Sequence, residues 1–199
     1  MILANGAKRR RLGCPGEEEF LGRGVSYCAT CDGAFFKGKD VAVMGGGNTA
    51  VEDALYLAGI CRSVTLIFRR DRLTAQRKLV EAAEGKENLR LCPQSLVTAV
   101  TGGDLVEAVE ITGAENGEKR SLPVSALFVA IGLEPDNAPF APPLALDDYG
   151  YILAGEDCKT NVPGVFAAGD SRTKLLRQIV TAVADGAVAA MQAERFLHG

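Results

Sequence analysis

The sequence predicts an α/β fold with a parallel sheet, and three consecutive stretches carry that prediction. An apolar strand over Asp40–Met44 runs into a glycine turn, an amphipathic helix is expected over Asn48–Ala58, and a second strand over Ser63–Phe68. Strand–helix–strand order favours parallel strands joined by right-handed crossovers. The hairpin-like strands expected between residues 89 and 123, with a turn at Asn116-Gly117, then form an insertion.

The rest of the chain continues this pattern and then changes. Helical composition covers Thr74–Glu84, and a buried strand is expected over Ala126–Ile131. Beyond the prolines between residues 135 and 143, the expected elements are short strands at Tyr151–Leu153 and Val165–Ala168 and an alanine-rich helix from about Leu176 to Leu197. This last section is too small to bury a core of its own, so it is expected to need a partner domain.

Composition narrows the class of protein. Hydrophobic residues make up 47% and charged residues 24% of the 199 residues, which is typical of a globular domain. A net charge of −3 argues against a general nucleic-acid binder, and the basic run at 8–11 is followed by an acidic run at 17–19. Neither a secretory segment nor an apolar run of bilayer length is seen, so no membrane partner and a cytoplasmic location are expected.

A glycine turn fits the dinucleotide-binding pattern G-x-G-x-x-A. Its residues are Gly45, Gly46, Gly47, Asn48, Thr49 and Ala50. In that pattern the first glycine makes the tight turn, the second lets a pyrophosphate approach the backbone, and the small last residue lets helix and strand pack closely. Because it follows an expected strand and precedes an expected helix, the pattern predicts a Rossmann-like dinucleotide site, with a plain structural turn as the alternative.

The end of the second expected strand favours NADPH over NADH. NAD sites place an acid there to hold the ribose 2′-hydroxyl, whereas a 2′-phosphate favours arginine. Here Phe68 is followed by Arg69 and Arg70, with Arg72 and Arg77 close behind. Guanidinium groups bind phosphate oxygens through paired hydrogen bonds. Arginines that merely solvate a strand end are the alternative.

Cys28 and Cys31 stand at C-x-x-C spacing on an expected short loop ahead of the first strand. A redox pair is favoured, with Asp32 able to donate and accept a proton. A zinc half-site would need a second pair, and inert buried thiols are the remaining alternative. The other cysteines, Cys14, Cys61, Cys92 and Cys158, are interpreted as spectators, and no metal site is expected.

A later segment, residues 164–170, is expected to be a strand that ends in Gly169-Asp170 ahead of a helix. An aspartate there can accept a hydrogen bond from a ligand hydroxyl, and the helix N-terminus favours an anion. A capped turn without a ligand is the alternative.

Five segments together resemble low-molecular-weight thioredoxin reductases, in the family's order and over almost the whole chain. They are residues 24–33, the glycine turn at 45–50, Arg69-Arg70, residues 129–132 and residues 164–170. In that family an NADPH-binding domain is inserted into an FAD-binding domain. The resemblance therefore implies an NADPH domain at 13–134, with pieces of the FAD domain at 1–12 and 135–199.

The resemblance also implies residue roles. Cys28 and Cys31 would form the redox-active disulfide, and Asp32 would be the acid/base. The cofactor-binding residues it adds are Asp170, Arg177, Gln178 and Ile179 at the flavin, together with Gly132 and Gly169. Electrons would pass from NADPH to FAD, to the disulfide, and on to thioredoxin or a similar partner, in a homodimer if the flavin domain is complete. The spacing does not decide which cysteine meets the flavin.

Two departures from the family pattern stand out. The family has histidine and arginine where this chain has Phe68 and Thr74. Arg69 and Arg70 are retained, and Arg72 or Arg77 could substitute in the 2′-phosphate site. The family also opens with a glycine-rich βαβ unit for FAD, whereas residues 1–6 already match the late part of that domain. The expectation is a reductase that lacks most of its first flavin lobe.

Two other functions compete with a thioredoxin-disulfide reductase. One is an inactive or regulatory, flavin-free NADPH-binding fragment. The other is a related NADPH-dependent flavoprotein with a different acceptor, such as a ferredoxin–NADP reductase. The Cys28–Cys31 pair argues against the latter, because a path from flavin to ferredoxin needs no dithiol.

Overall fold

The computed structural model describes all residues from 1 to 199 and divides the chain into two compact units. The central unit is residues 11–132, and the terminal unit combines residues 1–10 with residues 133–199. The divisions fall after Arg10 and Gly132, two residues before the expected limits at 12 and 134.

The strands, numbered in chain order, are β1 (Ile2–Leu3), β2 (Ala7–Arg9), β3 (Val25–Ser26), β4 (Asp40–Met44), β5 (Ser63–Ile67), β6 (Leu89–Cys92), β7 (Ser95–Gly102), β8 (Val106–Gly113), β9 (Lys119–Pro123), β10 (Ala126–Val129), β11 (Leu133–Pro135) and β12 (Phe166–Ala167). The α-helices are α1 (Ala29–Asp32), α2 (Asn48–Ala58), α3 (Arg77–Glu84) and α4 (Ile179–His198). Short 3-10 turns cover Gly33–Phe36, Ala138–Phe140 and Gly169–Ser171.

A parallel five-stranded sheet, in the order β3-β10-β4-β5-β6, forms the middle of the central unit. The α/β fold with a parallel sheet is therefore confirmed. Side chains of β4 alternate between two cores: Val41 and Val43 face one cluster, and Ala42 and Met44 face the other. Both faces of the strand are covered, which is why it is a continuous apolar run in the sequence.

The two faces of this sheet are covered by different structures. Ala50, Ala54 and Leu57 of α2 are fully buried against one face. On the other face lies an antiparallel sheet, β7-β8-β9, whose Val109 and Ile111 join the second cluster. The predicted β-hairpin insertion is thus confirmed, and it supplies the second covering layer.

Predictions for the central unit are accurate for β4 and α2, whose bounds agree residue by residue. Other expectations were wrong. β6 was expected among the hairpins, but it is the edge strand of the parallel sheet, and β3 was not expected at all. α3 begins at Arg77 rather than Thr74, because residues 74–76 are hydrogen-bonded back to the glycine turn.

The terminal unit has two small sheets, a parallel pair β1-β12 and an antiparallel pair β2-β11. The strand expected at Tyr151–Leu153 is wrong, since Ile152 makes only isolated bridges. α4 begins at Ile179 rather than near Leu176, because Gln178 and Thr181 form a capping box.

The cores of the terminal unit are small, and α4 leaves large apolar side chains exposed. They include Ile179, Val180, Val183 and Met191. This is the exposure expected of a section too short to bury its own core. None of the helices combines the length and the apolar character that crossing a membrane requires.

Gly45 is tightly packed between the end of β10 and the first turn of α2. A Cβ there would lie 2.3 Å from the Ala130 carbonyl oxygen and 2.7 Å from the Ala50 Cβ, with φ at +151°. We expect Gly45→Ala to lower the free energy of unfolding by roughly 2–3 kcal/mol, measured by urea denaturation, because neither neighbour can move away. Gly47→Ala is the control, since a Cβ on Gly47 would meet nothing within 4 Å. Equal losses in the two variants would contradict this account.

Candidate functional site

Cys28 and Cys31 form a disulfide, with their Cα atoms 5.3 Å apart. The sequence analysis predicted that the pair would lie on a loop. In the structure, the pair lies instead in the first turn of α1. Cys28 is the N-cap residue, and the Cys31 N–H lies 3.2 Å from the Cys28 Sγ. Cys31 is exposed and Cys28 is half-buried, so the disulfide can be approached from solvent.

The Asp32 carboxylate is held beside the disulfide turn by Ser26. The Ser26 hydroxyl donates to Asp32 Oδ2 over 2.6 Å and accepts the Cys28 N–H over 3.1 Å. Ser26 is buried and is the last residue of β3, so the sheet fixes the position of its hydroxyl. The sequence analysis missed Ser26 because its role depends on a strand that was not predicted.

The disulfide turn is also seated on α2. A Cβ on Gly33 would lie 2.9 Å from Leu57 Cδ2 and 3.1 Å from Tyr56 Cε1, so the chain after the disulfide packs directly on this helix.

The disulfide turn and the glycine turn both lie at the carboxyl edge of the five-stranded parallel sheet. The register pairs Ser26 and Val43 with Phe128 of the intervening strand β10, so the disulfide turn and the glycine turn leave the sheet at the same level. Two strand spacings separate them, about 10 Å.

The glycine turn lies where ligands bind in such folds. The chain leaves β4 for β5 on one side, while β10 lies on the other, which makes this a topological switch point. Gly47 is the N-cap of α2, no side chain caps that helix, and nothing lies within 4 Å of a Cβ on Gly47. The first N–H groups of α2 are therefore available to a phosphate. Asn48 and Thr49 are exposed, and Ala50 is fully buried.

The predicted arginines follow β5 and are exposed. Arg69 and Arg70 form no ion pair, whereas Phe68 is buried. Arg77 pairs with Glu81, with its Nε 2.7 Å from Oε1. Gly132, which was predicted to bind a cofactor, follows β10 with φ at +104°, a conformation that favours glycine.

In the terminal unit, two predicted residues have buried polar atoms without partners. They are the Asp170 Oδ1 and the Arg177 Nε. Asp170 lies in a 3-10 turn that begins at Gly169, whose φ is +76°. The Arg177 guanidinium lies 4.0 Å from the centre of the Tyr151 ring. Leaving such atoms unpaired costs about 1–3 kcal/mol each, a cost that a polar ligand bound to them would remove.

The remaining predicted residues of this site adjoin Arg177. Gln178 caps α4, exchanging hydrogen bonds with Thr181, and Ile179 is 85% exposed.

Asp185, which the sequence analysis missed, holds the 3-10 turn at Gly169–Ser171 in place. Its Oδ2 accepts the Gly169 N–H at 2.9 Å, Arg172 Nε at 2.9 Å and Lys174 Nζ at 2.7 Å. Arg172 Nη2 donates to its Oδ1 at 2.7 Å. Burial alone would raise the pKa of Asp185, but the hydrogen bonds from Arg172, Lys174 and Gly169 outweigh it and lower the pKa to about 2. The sequence signal that could have identified Asp185 is the presence of an aspartate within an alanine-rich helix.

The other cysteines are free thiols. Burial raises the pKa of Cys14, Cys61 and Cys158, which disfavours the reactive thiolate. Cys92 is buried and accepts a hydrogen bond from Arg120 at 2.7 Å.

Comparisons with known proteins agree on one family. Residues 1–186 match the family described as pyridine nucleotide-disulphide oxidoreductase. A thioredoxin reductase from Peptoclostridium acidaminophilum is 46% identical over 204 aligned positions, which cover 100% of this chain and 65% of that protein. This chain thus spans less than two thirds of the length of that curated relative.

Solved structures give the same result. The crystal structure of thioredoxin reductase from Streptococcus pyogenes MGAS5005 matches with a TM-score of 0.92 at 41% identity, covering 99% of this chain and 65% of that one. The thioredoxin reductase from Giardia duodenalis matches with a TM-score of 0.94 at 39% identity, covering 100% of this chain and 65% of that one.

The contacts of Asp185 lead to a prediction about the stability of the terminal unit. We expect Asp185→Asn to lower the free energy of unfolding of the terminal unit by about 3 kcal/mol at neutral pH, because the buried Arg172 and Lys174 side chains would lose their shared carboxylate. Arg172 would keep only the exposed Glu156 as an ionic partner. The pKa of Asp185 is lowered from 3.8 to about 2, so its contribution is present above the unfolded value and is lost as the pH falls between these values.

Urea denaturation at neutral pH and at acidic pH would measure this difference, which should shrink in acid. Asp157→Asn is the control, since Asp157 is exposed and its ion pair with Lys159 is long, at 4.0 Å. A difference for Asp185→Asn that does not change with pH would contradict the prediction.

Proposed function

The chain belongs to the pyridine nucleotide-disulphide oxidoreductase family, and on that premise we propose that it acts as a thioredoxin-disulfide reductase. Cys28–Cys31 would receive two electrons that NADPH supplies by way of bound FAD, and would pass them to the disulfide of thioredoxin or a similar protein. One observation carries this proposal: a solvent-accessible disulfide lies at the same sheet edge as a dinucleotide-type glycine turn.

The central unit is proposed to bind NADPH. The uncapped N-terminus of α2 offers N–H groups to the pyrophosphate, and Gly45 to Ala50 shape the turn. Arg69 and Arg70 are exposed and unpaired, which suits the 2′-phosphate, while Gly132 is proposed to border the nucleotide.

The terminal unit is proposed to bind FAD, and its residues fit that group. The unpaired Asp170 Oδ1 can accept from a flavin hydroxyl, and the unpaired Arg177 Nε can donate to a flavin oxygen. Gly169, Gln178 and Ile179 complete the proposed contacts. When bound, FAD supplies a carrier that takes two electrons from a nicotinamide and passes them to a disulfide.

Cys28 and Cys31 carry the exchange with the partner disulfide. Two electrons and two protons open the Cys28–Cys31 bond to two thiols. One thiolate then attacks the partner disulfide, which forms a mixed disulfide and releases the partner's first thiolate. The other thiolate of the pair attacks its own neighbour's sulfur in that mixed disulfide, which restores the Cys28–Cys31 bond and releases the partner's second thiolate. Asp32, held by Ser26, takes and returns the proton of the attacking thiol.

The proposal extends to assembly and location. A homodimer is supported by the exposed apolar side chains of α4, which offer surface for association. A cytoplasmic location is supported by the four free cysteines, since a reducing compartment keeps thiols from pairing.

If Cys28 and Cys31 act as a redox dithiol, a mutation should abolish disulfide reduction without affecting nucleotide binding. We expect Cys31→Ser to lower NADPH-dependent reduction of thioredoxin at least about a hundredfold, because the disulfide cannot form. Affinity for NADP⁺ should stay within about twofold. Turnover is measured as NADPH consumption with added FAD and oxidised thioredoxin, and affinity by titration calorimetry.

Cys14→Ser is the matched control and should keep the wild-type rate. Turnover retained in Cys31→Ser would contradict the dithiol role. A wild-type chain that binds NADP⁺ but reduces no thioredoxin would favour the flavin-free alternative.

The flavin site predicts a second effect. We expect Asp170→Ala to weaken FAD binding at least about tenfold, because a hydrogen bond to a charged group is worth about 1.5–3 kcal/mol. Titration of the purified chain with FAD, followed by flavin fluorescence, measures this. Asp148→Ala is the control, since Asp148 is exposed in the same unit. Equal affinity in both variants would remove Asp170 from the flavin site.

A further inference from the structure

The segment between β5 and α3, residues 68–76, is anchored at both ends and carries three unpaired arginines. Arg69, Arg70 and Arg72 are exposed and form no ion pair. We call residues 68–76 the arginine segment. It has Phe68 and Thr74 where low-molecular-weight thioredoxin reductases have histidine and arginine.

The first anchor fixes the arginine pair. Phe68 is buried, and its carbonyl accepts the Ser95 N–H at 3.0 Å. The Arg70 carbonyl accepts the Gln94 N–H, also at 3.0 Å. The backbone on both sides of Arg69 is therefore held against the start of β7.

The second anchor ties the arginine segment to the glycine turn. The Gly46 carbonyl accepts both the Thr74 N–H at 2.8 Å and the Thr74 hydroxyl at 3.1 Å. The Asn48 Oδ1 accepts the Gln76 N–H at 2.8 Å. Both acceptors belong to the turn that is proposed to hold the pyrophosphate, so the arginine segment and this turn are fixed relative to each other.

The two anchors leave Arg72 and Arg77 in different situations. Arg72 lies between the anchors and has no partner. Arg77 lies beyond the second anchor, in α3, where its guanidinium already binds Glu81. The Thr74 hydroxyl has donated its only proton to Gly46 and carries no charge, so it acts through the backbone rather than on a ligand.

We propose that Thr74 and Asn48 form a latch that positions Arg72, and not Arg77, as the third cation beside Arg69 and Arg70 in the 2′-phosphate site. The proposal rests on the nucleotide site of the proposed function. A 2′-phosphate carries a charge of about −2 near neutral pH, whereas the 2′-hydroxyl of NAD⁺ is neutral. Positioned arginines therefore discriminate between the two nucleotides. Thr74 and Asn48 are positioning residues in this account.

The experiment uses the full chain without flavin or thioredoxin and measures the affinities for NADP⁺ and NAD⁺ by titration calorimetry. We expect Arg72→Ala to weaken NADP⁺ binding about tenfold and to leave NAD⁺ within about twofold, because one charged contact is lost. Arg77→Ala is the matched control, and both affinities should stay within about twofold of wild type. Loss of NADP⁺ affinity in Arg77→Ala but not in Arg72→Ala would overturn the assignment.

The latch itself is tested by Thr74→Val, which keeps the shape of the side chain and removes the hydroxyl. We expect the ratio of NADP⁺ to NAD⁺ affinity to fall at least about threefold and Thr74→Ser to restore it, whereas a general loss of stability would lower both affinities together. NADP⁺ binding with an unchanged ratio in Thr74→Val would overturn the latch alone. A wild-type chain that binds neither nucleotide would overturn the nucleotide site of the proposed function as well.

Discussion

The close approach of α2 to the carboxyl end of β4 is the constraint on which the central unit depends. Gly45 permits it, because the Ala130 carbonyl and Ala50 occupy the space that a side chain would need. Because α2 packs closely on the sheet, its N-terminus lies at the glycine turn, which also accepts the hydrogen bonds from Thr74. Its C-terminal half seats the disulfide turn at Gly33. One helix therefore positions both the glycine turn and the disulfide turn.

In the terminal unit, the residue that fixes the local backbone is a buried charged residue rather than a glycine. Asp185 is a buried carboxylate, and such a charge is tolerated only when hydrogen bonds and opposite charges surround it. Its contacts with Arg172, Lys174 and the Gly169 N–H meet that condition. Because the Gly169 amide is bound, the turn is fixed, and the neighbouring Asp170 carboxylate keeps an oxygen for a ligand.

The sequence predicted those parts of the molecule whose signals are local. β4 and α2 were located to the residue, because an apolar run, a glycine turn and a helical period are adjacent in the chain. β3 has only two residues and exists because it pairs with β10, far along the chain, so no local pattern shows it. Ser26 depends on that strand. The start of α3 was misjudged for the same reason, since the bonds that hold Thr74 reach back to Gly46.

Arginine shows why residue type alone does not assign function in this chain. Arg172 is 1% exposed, and its guanidinium is committed to Asp185 and nearby carbonyls, so its role is structural. Arg70 is exposed and unpaired, while Arg177 lies on Tyr151 with a buried Nε that has no partner. A committed guanidinium must lose hydrogen bonds before it can bind a ligand, whereas an uncommitted one gains them. In the two proposed cofactor sites, the groups free to bind a ligand are therefore the guanidinium of Arg70 and the Nε of Arg177.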